Sequence, residues 1–266
     1  MKIRIDKLLL DRGLVASRQR AQALILAGRV LVNEQKIEKP GTAVPDDAEL
    51  RLIGDDLRYV SRGGLKLEAA LSFWKIDLRD RVGMDVGTST GGFTDCMLQH
   101  GAAEVLAVDT GYGQIAATLR SDPRVKLLEN TNARYLNADL IASRKMSGLI
   151  SFIAIDVSFI SVTLILPAVL ESTFAGLRNA TGQDHNPEPE IRPDRREMVI
   201  LIKPQFEVGR SLVGKGGIVR DEGSQRSAVT KVEKCVQELG GGGLEVIDSP
   251  IFGAEGNREF LLHAEF

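Results

Sequence analysis

Apolar residues recur in two distinct rhythms along the chain. In the first, residues 3 to 53, the runs are short and change period. Ile5, Leu8 and Leu9 fall at helical spacing and Gly13 follows as a stop. Ser17 is placed to cap a second helix, with Ala21, Leu24 and Ile25 as its buried stripe and Gly28 closing it. "RVLVN" then predicts a strand with Asn33 at its turn, and "AELRLI" a second strand after the loop "KPGTAVPDD". Gly54 and Asp55-Asp56 mark a domain boundary, and Gly63-Gly64 reads as a flexible joint. A helix from about Leu65 follows, with Leu67, Ala70, Leu71 and Trp74 on its apolar face; this spacing leaves Lys66 off that face.

From Arg81 onward, short apolar runs alternate with helical segments, which predicts a doubly wound parallel sheet. The runs are "RVGMDVG", "EVLAVD", "RVKLLEN", "LISFIAID", "EMVILIK", "LEVIDSPIF" and "REFLLHAEF". A last strand lying antiparallel beside the others gives, by fold analogy, the methyltransferase variant of the Rossmann architecture. The expected organisation is a small α+β domain over residues 1–60, a linker and first helix over 61–80, and a seven-stranded α/β domain over 81–266.

Composition narrows the class. At 43% hydrophobic and 26% charged, the 266 residues suit a globular chain with one large core and a small extra domain. No run of about 18 apolar residues could span a bilayer, so the expected location is cytoplasmic. Cys96 and Cys235 are isolated, and His100, His185 and His263 share no ligand spacing, so neither a disulfide framework nor a metal site is expected. The formal charge of -2 hides an asymmetry: residues 1 to 39 hold nine basic against four acidic side chains. An excess of that kind hints at nucleic acid, although helix surfaces often carry local charge.

The first strand-to-helix turn holds the sharper signal. "DVGTSTGGF", Asp85 to Phe93, offers Gly87, Gly91 and Gly92 for a tight turn, with a helix starting near Gly92 and pointing its N-terminus at a ligand. The spacing is not the G-x-G-x-x-G of dinucleotide binders. Asp109 ends the second strand, where a carboxylate accepts bonds from ribose hydroxyls; Asn130, Thr131 and Asn132 read as turn residues, or, in the cofactor reading, Asn132 sits where an adenine edge would be read. Together with Ser89, Phe93 and Asp156 these residues form the expected cofactor set, and S-adenosylmethionine fits it better than NAD.

The fourth strand ends in Asp156-Val157-Ser158-Phe159 in place of the Asp/Asn-Pro-Pro-aromatic turn of base-amine methyltransferases. Both cysteines fall in helical segments, which disfavours thiol catalysis on a pyrimidine carbon. Asp156 and Lys203 end adjacent strands and Glu259 begins the antiparallel one, so topology alone gathers three charged groups at the carboxyl rim. Each taken singly could be an ordinary strand-end charge, and Lys66 a surface lysine. The glycine-rich "QFEVGRSLVGKGGIVRDEG" that follows Lys203 reads equally as an ordinary mobile loop and as one that orders on RNA.

Two resemblances sharpen these readings. "SRQRAQALILAGRVLVN" resembles the alpha-L RNA-binding module, first known from a small-subunit ribosomal protein; it implies a folded RNA partner gripped through Arg4, Lys7, Arg18, Arg20 and Arg29. Lys66 in "RGGLKL", Asp156 in "AIDVSF", Lys203 in "LIKPQFE" and Glu259 in "GNREFLL" resemble the Lys-Asp-Lys-Glu tetrad of ribose 2′-O-methyltransferases related to FtsJ. Nearly the whole chain is similar to the TlyA family, also labelled hemolysin A. That family implies methyl transfer from S-adenosylmethionine to the 2′-hydroxyl of cytidine in ribosomal RNA of the small subunit, the large subunit or both. The competing expectations are a membrane-active protein, as the hemolysin label suggests, and a non-catalytic ribosome-assembly binder. "RNATGQDHNPEPEIRPDRR", residues 178–196, departs from the pattern as a polar insertion.

Overall fold

The computed structural model describes residues 2–15, 17–52, 58–174, 196–253 and 256–266. The boundary signal at Gly54 to Asp56 and the polar stretch 178–195 lie outside the described residues. The chain forms two units, Met1–Arg58 and Tyr59–Phe266.

The first unit runs β1 (Lys2–Arg4), α1 (Ile5–Asp11), α2 (Arg18–Leu26), β2 (Val30–Val32), β3 (Gln35–Ile37), β4 (Ala43–Pro45) and β5 (Leu50–Leu52). Ser17 Oγ accepts the Arg20 backbone N–H at 3.2 Å, the capping bond its position predicts. Ile5, Leu9, Ala21 and Ile25 are fully buried, so the two helices close on each other through the expected stripes. β2 lies between β3 and β5 in an antiparallel sheet, and β1 pairs with β4. Strands β1, β3 and β4 go beyond the elements the sequence predicts: each turns a single side chain inward, so no apolar run marks it. The β2–β3 turn is Asn33-Glu34, both at positive φ (50° and 63°), the backbone that a two-residue hairpin demands.

One buried charge organises this unit. Asp6 is fully buried and accepts bonds from Arg4 Nε (3.0 Å) and Nη2 (2.9 Å), Arg18 Nε (3.0 Å) and Gln22 Nε2 (3.0 Å). The Arg4 guanidinium, joined by Gln22 and Arg18, holds this carboxyl well below the usual range despite its burial. Asp6 thereby ties α1 to α2.

The second unit runs α3 (Gly63–Trp74), β6 (Val82–Val86), α4 (Gly92–Gln99), β7 (Glu104–Val108), α5 (Ala117–Arg120), β8 (Val125–Leu128), α6 (Ala138–Ala142), β9 (Ile150–Ile155), α7 (Leu166–Phe174), β10 (Glu197–Ile202), α8 (Pro204–Glu207), α9 (Glu222–Glu238), β11 (Gly242–Asp248) and β12 (Phe260–Glu265). The sheet order is β11-β12-β10-β9-β6-β7-β8, with β12 antiparallel to both neighbours. All seven expected strands are present. Side chains alternate across it: Met84, Val86, Ile153, Ile155, Met198 and Ile200 enter one core, while Phe152, Ala154, Val199 and Leu201 enter the other. After β8 the chain crosses back to place β9 on the other side of β6, which makes the β6–β9 boundary the switch point where such sheets bind ligands.

Three boundaries differ from expectation. α3 begins at Gly63, so Gly63-Gly64 is helix and not a joint. The glycine at 64 serves packing: a Cβ there would lie 2.3 Å from Tyr59 Cγ. β11 starts at Gly242 and ends at Asp248, leaving 249–252 outside the strand, and Glu259 precedes β12 by one residue. Even so, Ile202 pairs with Phe260, so Lys203 and Glu259 emerge at the same sheet edge. At the other end of β10, about 20 Å away by strand rise, buried Glu197 pairs with Arg81 Nη1 at 2.5 Å and His263 Nε2 at 3.3 Å.

Candidate active site

The glycine loop joins β6 to α4, and its glycines answer to the protein's own backbone. Gly87 has φ +89°, and a Cβ on it would lie 2.4 Å from the carbonyl oxygen of Asp156. A Cβ on Gly92 would lie 2.2 Å from Ser61 Oγ and 3.0 Å from Gly64 N. Glycine at 87 and 92 lets β6, β9 and α3 converge in the tight turn expected there, and both residues line the cavity at the switch point. Gly91, φ +97°, caps α4 in the left-handed conformation. Phe93 is buried in the core between α3 and α4, with its surface reaching the cavity wall.

That convergence encloses a cavity of about 590 Å³ whose wall includes Lys66, Asp85, Gly87, Asp156, Lys203 and Glu259. All four charged rim residues singled out from the sequence share it. Lys66 Nζ lies 2.5 Å from Glu259 Oε2, and Lys203 Nζ lies 2.6 Å from Asp156 Oδ1. Both lysine side chains are 11% exposed. Lys66 is thus no surface lysine: it is buried on α3 and paired with Glu259 at the sheet edge. Gly253 leaves room for this pair, since a Cβ there would fall 2.5 Å from Glu259 Oε1. Lys203 Nζ also donates to Ser158 Oγ at 2.8 Å. The site is an alternation of two ammonium groups and two carboxylates, which lets cations sit in a half-buried wall without a net charge penalty.

Asp85, at the fourth position of β6, has no solvent exposure. Its Oδ2 accepts the Thr94 N–H at 2.9 Å and the Thr94 hydroxyl at 2.6 Å, while Oδ1 has no partner. Burial pushes this carboxyl up to about 7; Thr94 opposes the shift and the charge of Asp156 adds to it. An unpartnered buried acceptor costs about 1–3 kcal/mol, and a cationic donor supplied by a ligand would remove the cost. The amino-acid end of S-adenosylmethionine carries such an ammonium, so the residues present fit that cofactor.

A second cavity of about 300 Å³ continues past Gly87 and Ser89 to Asp109 and Asn132. Asp109 follows β7 as expected, and its carboxylate accepts the backbone N–H of Ser89 (2.7 Å) and of Gly111 (2.6 Å). Asn132 is exposed and turns its Oδ1 to the Arg134 N–H at 3.0 Å, starting a short 3-10 turn. Both side chains are thus engaged locally, and each still borders the cavity.

Ser158 and Phe159 are among the wall residues outside the set the sequence nominates. Ser158 carries no distinctive signal, because a serine in a turn is commonplace. Phe159 is 91% exposed at φ +66°, borders both cavities and lies 5.4 Å from the Phe206 ring. A usable signal for it exists in the sequence: a bulky aromatic where a turn prefers a small residue. The glycine-rich segment after Lys203 is pinned within the protein itself. Asn257, 1% exposed, accepts the Val219 N–H and donates to Gly217 O, both at 2.9 Å.

The basic residues of the first unit divide. Arg4 and Arg18 turn part of their guanidinium groups onto Asp6 but remain 51% and 53% exposed, so each is oriented as well as accessible. Lys7 is exposed on α1; Arg20 and Arg29 are half-buried at the start of α2 and just beyond its end.

Comparison with known proteins agrees with this geometry. Residues 59–266 match the FtsJ-like methyltransferase family, and residues 3–50 match the S4 domain. The chain is similar to the 16S/23S rRNA (cytidine-2′-O)-methyltransferase TlyA of Mycobacterium tuberculosis, at 41% identity covering 98% of this chain and 89% of that one. It is also similar to Hemolysin A of Brachyspira hyodysenteriae, at 37% identity over 98% and 99% of the two chains. A solved Streptococcus thermophilus structure that carries a hemolysin name aligns with a TM-score of 0.70 and 41% identity, covering 99% of this chain and 88% of that one.

Proposed function

This chain belongs to the FtsJ-like methyltransferase family, among the TlyA proteins that carry an S4 domain in front, and from that premise we propose that it methylates the ribose 2′-hydroxyl of cytidine in ribosomal RNA. Its cofactor is S-adenosylmethionine, its partner a ribosomal subunit, and its place of action the cytoplasm. The observation that carries this reading is the arrangement of Lys203, paired with Asp156 and bonded to Ser158, in one cavity with the unpartnered oxygen of Asp85.

When bound, S-adenosylmethionine supplies an electrophilic methyl group on a sulfonium with a good leaving group. The chain's own residues bind, align and stabilise. Asp85 accepts from the cofactor's ammonium, the loop from Gly87 to Phe93 holds its amino-acid end, and Asp109 and Asn132 border the cavity that takes the nucleoside. Asp156 and Ser158 fix the direction of the Lys203 ammonium. Aimed at the ribose oxygen, that ammonium stabilises the negative charge that builds there as the hydroxyl proton passes to water. Lys66 and Glu259 form the second pair, at the same sheet edge as Lys203, and orient the acceptor ribose. Arg4, Lys7, Arg18, Arg20 and Arg29 of the S4 domain grip phosphates, bringing the substrate to the second unit.

Methyl transfer by Lys203→Ala, measured with labelled cofactor and purified subunits, tests the assignment; the variant is expected to bind cofactor and to transfer nothing. Turnover near that of the parent in a folded variant would overturn the role of Lys203. The hemolysin label of one relative raises membrane activity as a second reading. Among the described residues no helix is long and apolar enough to cross a membrane, and the apolar faces of α1 and α2 are spent on their own core. Leakage of dye from liposomes by aggregate-free protein would revive it.

A further inference from the structure

Glu207 is a buried carboxylate that borders neither cavity, yet it lies between the two loops that carry the catalytic pair. It ends α8, the turn that begins directly after Lys203, and its side chain is 3% exposed. Its Oε1 accepts the backbone N–H of Val162 at 2.7 Å, and its Oε2 accepts the Ser161 hydroxyl at 2.5 Å. Ser161 and Val162 follow Asp156, Ser158 and Phe159 on the loop after β9. Lys231 of α9 closes the knot from outside, with Nζ donating to Glu207 Oε2 (3.2 Å), Glu207 O (2.9 Å) and Ser161 Oγ (3.1 Å).

A carboxylate at this depth is costly unless it is paired and hydrogen-bonded. Here every bond it accepts runs to the β9 loop or to α9, none to its own loop. The two loops otherwise meet at the site through Lys203, whose ammonium reaches Asp156 and Ser158, and through the exposed Phe159 ring, 5.4 Å from that of Phe206. A lysine stem has several rotatable bonds and cannot hold two loops in register alone. We infer that Glu207 is a positioning residue: through Ser161 and Val162 it locks the β9 loop to the β10 loop, and so fixes the distance at which Asp156 and Ser158 present the Lys203 ammonium to the acceptor hydroxyl. This inference rests on the proposed role of Lys203.

The test uses the full-length protein with Glu207→Gln, Glu207→Ala and Ser161→Ala. Hydrogen–deuterium exchange over residues 157–165 is expected to rise in Glu207→Ala with protection of β9 and β10 unchanged. Single-turnover methyl transfer at saturating cofactor is expected to fall about 100-fold, the effect of a misplacement near 1 Å, while the cofactor dissociation constant stays the same. Glu207→Gln, which keeps an acceptor for Val162, is expected to recover most of the rate. A residue serving stability alone would lower the melting temperature and leave the rate per folded molecule unchanged, and that outcome overturns the inference. Should Glu207→Ala not fold, Ser161→Ala combined with Glu207→Gln decides: rate losses that fail to add support the lock, and fully additive losses overturn it. The exchange readout needs no activity, so absence of methyl transfer by the parent would strike the proposed function while leaving the loop lock to be judged by exchange.

Discussion

Asp6 and Asp85 are both fully buried aspartates, and the protein treats them in opposite ways. Asp6 receives bonds from two arginines and a glutamine, and its carboxyl is held below the ordinary range. Asp85 receives Thr94 alone, keeps one oxygen without a partner and is pushed up to about 7. The first is a finished structural joint. The second is half of an interaction whose other half arrives with a ligand. Burial alone therefore says little about function; what separates a joint from a site is whether the protein supplies all the partners.

The largest expected effect sets the scale against which both aspartates are judged. Lys203→Ala should lower single-turnover methyl transfer by about 1000-fold or more, within the range of a lost group at the reacting atoms, with cofactor affinity unchanged by calorimetry. Next comes Asp85→Asn, which should weaken cofactor binding by about 10–100-fold through loss of a charged hydrogen bond and leave RNA binding intact. Unchanged cofactor affinity in this variant would erase the contrast, making Asp85 as structural as Asp6. Asp6→Ala should do the reverse: destabilise by about 2 kcal/mol, discounted because its arginine partners are half exposed and regain water, without touching cofactor affinity.

The two carboxyls also titrate with opposite sign. A folded-state value raised to about 7 means the native protein holds the Asp85 proton more tightly than the unfolded chain does. Its contribution to stability therefore decreases as pH rises from about 4 to 7 and is level above that. Asp6, depressed in the folded state, contributes stability that is present above about pH 4 and lost as pH falls below it. Urea denaturation without cofactor between pH 4 and 8 should show the downward slope, and Asp85→Asn should remove it. Cofactor affinity should rise over the same interval as Asp85 ionises. The smallest effect belongs to the exposed charges: replacing Lys7 should reduce the slope of log affinity for ribosomal RNA against log salt by about 0.9 if it neutralises one phosphate.

Much of this architecture is legible in the sequence, for reasons that differ by residue. The seven strands of the large sheet can be read because strands buried on both faces leave nearly unbroken apolar runs, as in "MVILI". Lys203 and Asp156 can be placed because each directly follows such a run, and parallel neighbours end at one edge. Lys66 matches a motif, but helical spacing puts it off the apolar face. Its burial goes with a partner, Glu259, that lies 193 residues away and that only the fold brings beside it. Gly87 stands out in the sequence as a turn glycine, but the carbonyl that crowds it belongs to the distant Asp156, which only the fold brings near. Asp6 and Glu207 look like ordinary helix charges, and only the fold brings Arg18 to the one and Ser161 to the other.

Incubating the protein with S-adenosylmethionine labelled at the methyl group and with separated ribosomal subunits, then digesting the RNA to nucleosides, tests the central claim most directly. The expected product is 2′-O-methylcytidine from at least one subunit, absent when Lys203 is replaced by alanine. Label on a base, or none on either subunit despite cofactor binding, would contradict it.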